Sequence, residues 1–220
     1  MLAASMVAGF YFELPKYVTH RTLQFPAILS VHALFFISWM LLYVAQTLLV
    51  QTNNVRLHKR LGWLGVGLAA IIPPLGIATA VIMRRFDLQT FPSHDVPLDL
   101  AFLSTTTADI VAFTPCAWLG IWLRKRRDWH SRLMFLSIAT VADTGFSRLP
   151  LPGANVWFFA SNMAFYAAGI AHDKLTLGRV HKVYRLGVPL IVANELFAMY
   201  LWRIHPDWWV AVCRWLTGFG

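Results

Sequence analysis

Charge is scarce in this 220-residue chain: 13% of residues are Asp, Glu, Lys or Arg, and only 10 of them are acidic. A water-soluble helical protein shows a charged face every few residues, and none occurs between Leu61 and Met83, which excludes an ordinary soluble bundle. Cysteine is nearly absent. Cys116 lies inside an apolar run and Cys213 near the C-terminus, so there is neither a disulfide framework nor a CxxC pair. A phosphate-binding glycine loop, a serine elbow, an HExxH helix and an EF-hand loop are all missing. Those absences disfavour hydrolase and ATPase chemistry of the soluble kind.

What remains is apolar. Hydrophobic residues make up 58% of the chain and mean hydropathy is +0.56, far from the soluble average. The stretch from Val31 to Gly65 sets the pattern: an apolar run with His32 and Gln46, a polar break at Gln51–Asn54, a basic cluster at Arg56–Arg60, then a second apolar run. Each run is close to the roughly 20 residues that a helix needs to cross a bilayer core. The pair reads as a membrane hairpin with its turn in the basic cluster. Two more hairpins follow. The expected fold is all-α, a polytopic transmembrane bundle of six full spans near 25–50, 60–83, 99–123, 130–147, 154–172 and 184–203. A partial N-terminal helix over 1–13 precedes them, with no basic leader region. Residues 1–220 form a single transmembrane domain, and 206–220, carrying Trp208, Trp209 and Trp215, reads as an interfacial helix because Trp favours the headgroup level.

The net charge of +9 does not imply nucleic acid. Twelve of the 19 Lys and Arg cluster in the segments around 56–60, 124–132 and 174–185, which is a topology signal. It predicts a multi-pass inner-membrane protein with those basic loops cytoplasmic. Membrane lipids are then the obligatory partners, and a second membrane protein is a further candidate.

RLHKRLGWLG (56–65), DWHSRLMFLS (128–137) and RVHKVYRLGV (179–188) each open a span from the basic side. Each places one histidine, His58, His130 or His181, at that boundary. Three neutral imidazoles there could hold haem b or a divalent metal, or they could simply anchor helix ends at the headgroups. His172-Asp173 offers a further ligand or an ordinary helix end.

HALFFISWMLLYVAQTLLV with LHKRLGWLG, WHSRLMFLSIAT and GRVH resembles a widespread family of uncharacterised bacterial multipass proteins, across nearly the whole chain. That resemblance implies membrane residence and carries no activity. More loosely, histidines opening successive membrane helices are similar to cytochrome b561 proteins, a likeness that implies haem held between paired histidines on neighbouring helices. Between Asp99 and Leu123, where that family supplies a ligand, this chain has no histidine, which counts against two haems.

Polar groups inside the spans form a second constellation, and such groups are functional candidates by default. At about 1.5 Å per residue, His32 lies roughly 8–10 Å below the outer face, and Asp109 lies near mid-bilayer. Asp143 sits one to two turns below Arg148, and Asn162 and Asn194-Glu195 come at about 12 Å depth. His32, Asp109, Asp143, Arg148, Asn162 and Glu195 are therefore expected to line one polar pocket in the outer half of the bundle. Such a pocket would bind a small ligand, a metal or protons. The alternative is local neutralisation of each group. Pro73-Pro74 should bend the second span, and Ala160, Ala164 and Ala168 should let helices approach closely. Three classes of function remain open: a cofactor-bearing enzyme or b561-like electron-transfer protein, a transporter or ligand-binding protein, and a structural subunit of a membrane complex.

Overall fold

The computed structural model describes residues 7–9, 11–12, 24–152 and 158–219. Among these, every regular element is a helix. The expected N-terminal helix over 1–13 lies outside the described residues except for 7–9 and 11–12, which are helical.

Helix α1 spans Ala27–Gln51 and α2 spans Val55–Thr90. The turn between them is the polar break and not the basic cluster. Asn53 takes the left-handed conformation at φ 58°, which Asn tolerates better than most residues. Asn54 then caps α2 by accepting a hydrogen bond from the Leu57 amide at 3.3 Å. Arg56 to Arg60 consequently lie inside the first turns of α2. Gln46 ties the two helices together by donating to the His58 carbonyl at 3.1 Å. At 36 residues, α2 is about 54 Å long, well beyond the roughly 30 Å hydrocarbon core, and it runs as one helix through Pro73-Pro74.

Helix α3, Val96–Ala101, is capped by Asp95, which accepts from Leu98 N at 3.0 Å. It leads through Phe102 into α4, Leu103–Trp122. Helix α5, Arg127–Ala139, stops well short of residue 147, and a separate turn of helix, α6, covers Asp143–Phe146. The expected single span over 130–147 is thus interrupted at Thr140–Ala142. Then come α7, Phe158–Leu177; α8, Lys182–Ile204; and α9, Asp207–Thr217.

Helix α4 is the centre, packed against α2, α5 and α8. Trp39, Ile72, Phe113 and Ile138 fill the space on one side of it, and Leu136, Tyr166, Tyr184 and Ile191 fill the other. Lipid tails are as apolar as these side chains, so close fit rather than water exclusion holds such helices together. Glycines supply the fit. A Cβ on Gly76 would strike Ile110, one on Gly120 would strike Met134, and one on Gly169 would strike Phe135 and Tyr184. The alanine stripe does not serve this purpose. Ala160, Ala164 and Ala168 are exposed, because the inward face of α7 carries Ser161, Asn162, Tyr166 and Gly169 instead.

Three segments, Ala27–Gln51, Val55–Thr90 and Val96–Trp122, are long and apolar enough to cross a membrane, as an integral membrane protein requires. Large apolar side chains point outward along them, with Trp63 73% and Trp122 74% exposed. Soluble monomers rarely leave apolar surface so open. The C-terminal α9 packs Val210 and Cys213 against Leu100 and Leu103. Its Trp209 indole donates to the Ala101 carbonyl at 3.1 Å, while Trp208 and Trp215 face outward.

Candidate functional site

The break between α5 and α6 positions most of the buried polar groups. A broken helix leaves backbone donors and acceptors unpaired, and each must find a partner where water is excluded. The side-chain amide of Asn162, from α7, serves both ends. Its Oδ1 accepts from the Asp143 amide at 3.1 Å, and its Nδ2 lies 3.4 Å from the Thr140 carbonyl. The same Nδ2 donates to Oε1 of Glu195 on α8 at 3.1 Å. Tyr166, one turn along α7 from Asn162, donates its hydroxyl to that same Oε1 at 2.9 Å.

From α4, the Asp109 carboxyl faces that of Asp143, close enough for each to act on the other. Two carboxyls placed this way repel each other when both are ionised, and a hydrogen bond between them needs a proton on one, since ionised oxygens only accept. Asp143, Asn162 and Glu195 are almost entirely enclosed, at 2%, 0% and 3% exposure. The ring of Asp109, Asp143, Asn162, Tyr166 and Glu195 therefore links α4, α6, α7 and α8.

His32 stands apart from this ring. Its imidazole lies against Phe36, with ring centroids 4.1 Å apart, and the charge of Arg148 acts on both His32 and Asp143. The Arg148 guanidinium also donates to the Thr144 carbonyl. His32 Nδ1, Asp109 Oδ1, Asp143 Oδ1 and Glu195 Oε2 are shielded and have no hydrogen-bond partner among the described residues. Asn194 turns the other way from Glu195, as neighbours on a helix do, and donates to the Ala108 carbonyl at 3.0 Å.

A cleft of about 190 Å³ opens between α7 and α8. Its walls are apolar except for Glu195, so it is a groove on the outside of the bundle and not a polar chamber between the six residues.

Comparison with protein families, curated proteins and solved structures finds no match. The chemistry has to be read from the residues themselves.

The basic-side histidines divide into a pair and an outlier. The His58 and His130 rings lie 6.3 Å apart, nearly perpendicular at 86°. His130 Nδ1 is 2.8 Å from the Gly120 carbonyl; donation there leaves Nε2 as the ring's acceptor, the tautomer a metal ligand needs. His58 Nδ1 is buried without a hydrogen-bond partner among the described residues. His181 does not join them. It caps α8, its Nδ1 accepting from Val183 N at 3.2 Å, and its Nε2 lies 3.1 Å from Asp128 Oδ2. No group of three or more metal-ligating side chains occurs among the described residues.

Asp173 is likewise a structural anchor. Arg132 grips it with Nε at 3.0 and 2.9 Å from its two oxygens and with Nη2 in addition, and the His181 amide donates to it at 3.1 Å. Those hydrogen bonds, the Arg132 one above all, hold the Asp173 carboxyl below the usual carboxylate range.

Tyr166 and the Arg132–Asp173 pair were not expected from the sequence. Tyr166 could have been found, since it follows Asn162 by four positions and so shares its helix face. The ion pair joins residues 41 apart in the chain, and no local pattern reports such a contact.

Proposed function

We propose that this is a multi-pass inner-membrane protein whose intramembrane carboxyls, Asp109, Asp143 and Glu195, bind and release protons. The pairing of the Asp109 and Asp143 carboxyls in the enclosed interior carries this reading, because two carboxyls side by side away from water favour a proton on one of them. Glu195 is the second station, held through Asn162 to the Asp143 backbone. Intramembrane acids facing a bundle interior are the usual parts of proton relays. The reading extends to six spans in three hairpins, in which α5 with α6, α7 and α8 would add three crossings to the three apolar segments. The basic boundary, with His58, His130 and His181, would then face the cytoplasm by the positive-inside rule, and α9 would lie at the opposite interface.

The test is infrared difference spectroscopy of the protein in nanodiscs, following the protonated carboxyl C=O band from about pH 4 to about pH 9. A band that titrates in the wild type, and is altered by Asp109→Asn and by Glu195→Gln, supports the reading. Carboxyl bands that stay constant over that range overturn it.

A second reading rests on the His58–His130 pair. His58 and His130 are the residues that would hold haem b or a metal ion on this side, with His130 oriented by Gly120. A haem bound there would supply one-electron transfer. An absorption spectrum with metal analysis on purified protein decides this reading.

A further inference from the structure

The groove between α7 and α8 has one polar feature, and that feature is shared with the carboxyl ring. Glu195 uses Oε1 to accept from Asn162 and Tyr166, while Oε2 has no hydrogen-bond partner among the described residues although the residue is only 3% exposed. The same side chain lines the groove, together with Phe159, Met163 and Met199. One carboxyl oxygen is thus anchored to the bundle, and the group borders a space otherwise walled by apolar side chains.

We propose that this groove binds a lipophilic ammonium ion in exchange for a proton on Glu195. The proposal rests on the proton-binding reading of the carboxyl ring. In the exchange the O–H bond of the carboxylic acid breaks, the proton leaves to solvent, and an ion pair forms between carboxylate and ammonium. No covalent bond to the ligand forms and nothing is oxidised.

Charge complementarity selects the cation. An ionised carboxyl in an apolar setting is expensive unless a counter-ion accompanies it, and the groove lining contains no Lys, Arg or His. The charged and titratable groups facing Glu195 from its neighbours are Tyr166 of α7, Asp143 of α6 and Asp109 of α4. All are neutral or negative. Among the described residues no cation acts on Glu195 in the same way; Arg148 acts on Asp143 and bonds to the Thr144 carbonyl. A metal ion would find a single oxygen-bearing side chain here, fewer ligands than a hard cation takes. A hydrophilic amine would gain little from apolar walls. An alkylammonium ion gains on both counts: its chain meets apolar surface, and its head meets the Phe159 ring, the polarisable Met163 and Met199 sulfurs and the carboxylate.

The experiment is isothermal titration of octyltrimethylammonium, below its micelle concentration, into the protein in zwitterionic-lipid nanodiscs. Two buffers of different ionisation enthalpy count the protons released. Saturable binding is expected with about one proton released per ammonium, and with affinity rising about tenfold per pH unit where Glu195 is protonated. Glu195→Gln keeps the acceptor for Asn162 and Tyr166, so it should fold yet lose binding. Met163→Trp should fill the groove and cut affinity by about tenfold or more while leaving the carboxyl infrared titration intact. Octanol should not compete. Binding without proton release, equal binding by Glu195→Gln, or full competition by octanol would overturn the proposal. Absence of binding with a normal carboxyl titration overturns it alone; absence of both also removes the proton reading beneath it.

Discussion

The side-chain amide of Asn162 accepts a hydrogen bond from the backbone amide of Asp143 at 3.1 Å, and this contact closes the break between α5 and α6. It substitutes for a helical bond that the interrupted chain cannot make. Because Asn162 also reaches Thr140 and Glu195, its removal strands several buried groups at once. Asn162→Leu is expected to destabilise the fold by roughly 2–4 kcal/mol, given about 1–3 kcal/mol per buried group left unpaired. Thermal unfolding in detergent measures this, with the exposed Ala164→Ser as a control that should leave the midpoint unchanged.

Neutralising one member of the carboxyl pair should be tolerated structurally. In Asp109→Asn the amide can still donate to Asp143, so the unfolding midpoint should stay within a few degrees of wild type. The protonated-carboxyl infrared signal and any proton-coupled activity should fall. Asp109→Leu removes the donor and leaves Asp143 alone, so it should cost about 1–3 kcal/mol more. Equal stability of the two variants would show that the pair bears no hydrogen bond.

The Arg132–Asp173 pair gives stability a defined acid limit. Its hydrogen bonds depress the folded-state Asp173 value below the unfolded one of about 3.9. A depressed carboxyl stabilises the fold above the unfolded value, and that contribution is lost as pH falls through the lower folded value. Wild type should therefore lose this increment only below about pH 4. Asp173→Asn should be destabilised at neutral pH by about 3 kcal/mol, as when one partner leaves a buried pair. The gap between the two proteins should shrink in acid, as unfolding midpoints against pH will show.

The histidines make separable predictions. If purified protein shows a Soret band or bound metal, His58→Ala and His130→Ala should each abolish it. His181→Ala should retain it, because His181 is occupied with Asp128 and the α8 cap. Loss of the band in His181→Ala alone would contradict the pairing.

Orientation is open to labelling. Single cysteines at Asn54 and Arg126 should react with an impermeant maleimide from the cytoplasmic side only. Labelling from the periplasm would invert the assignment.

The long apolar runs and the scarcity of charge were enough to locate three helices long and apolar enough to cross a membrane, because a bilayer imposes length and composition on each segment separately. His32, Asp109, Asp143, Asn162 and Glu195 stood out for the same reason: polarity inside such a run is costly wherever its partner lies. Which of them meet was a question for the tertiary structure. Asp109 faces Asp143, and Glu195 reaches Asn162 and Tyr166, while His32 lies beside Phe36, since helix rotation and tilt depend on packing across the bundle and not on local sequence. The interruption at Thr140–Ala142 was equally hidden. No proline or glycine marks it, and it persists because a side chain from α7, about twenty residues further along the chain, supplies the hydrogen bonds that the break removes.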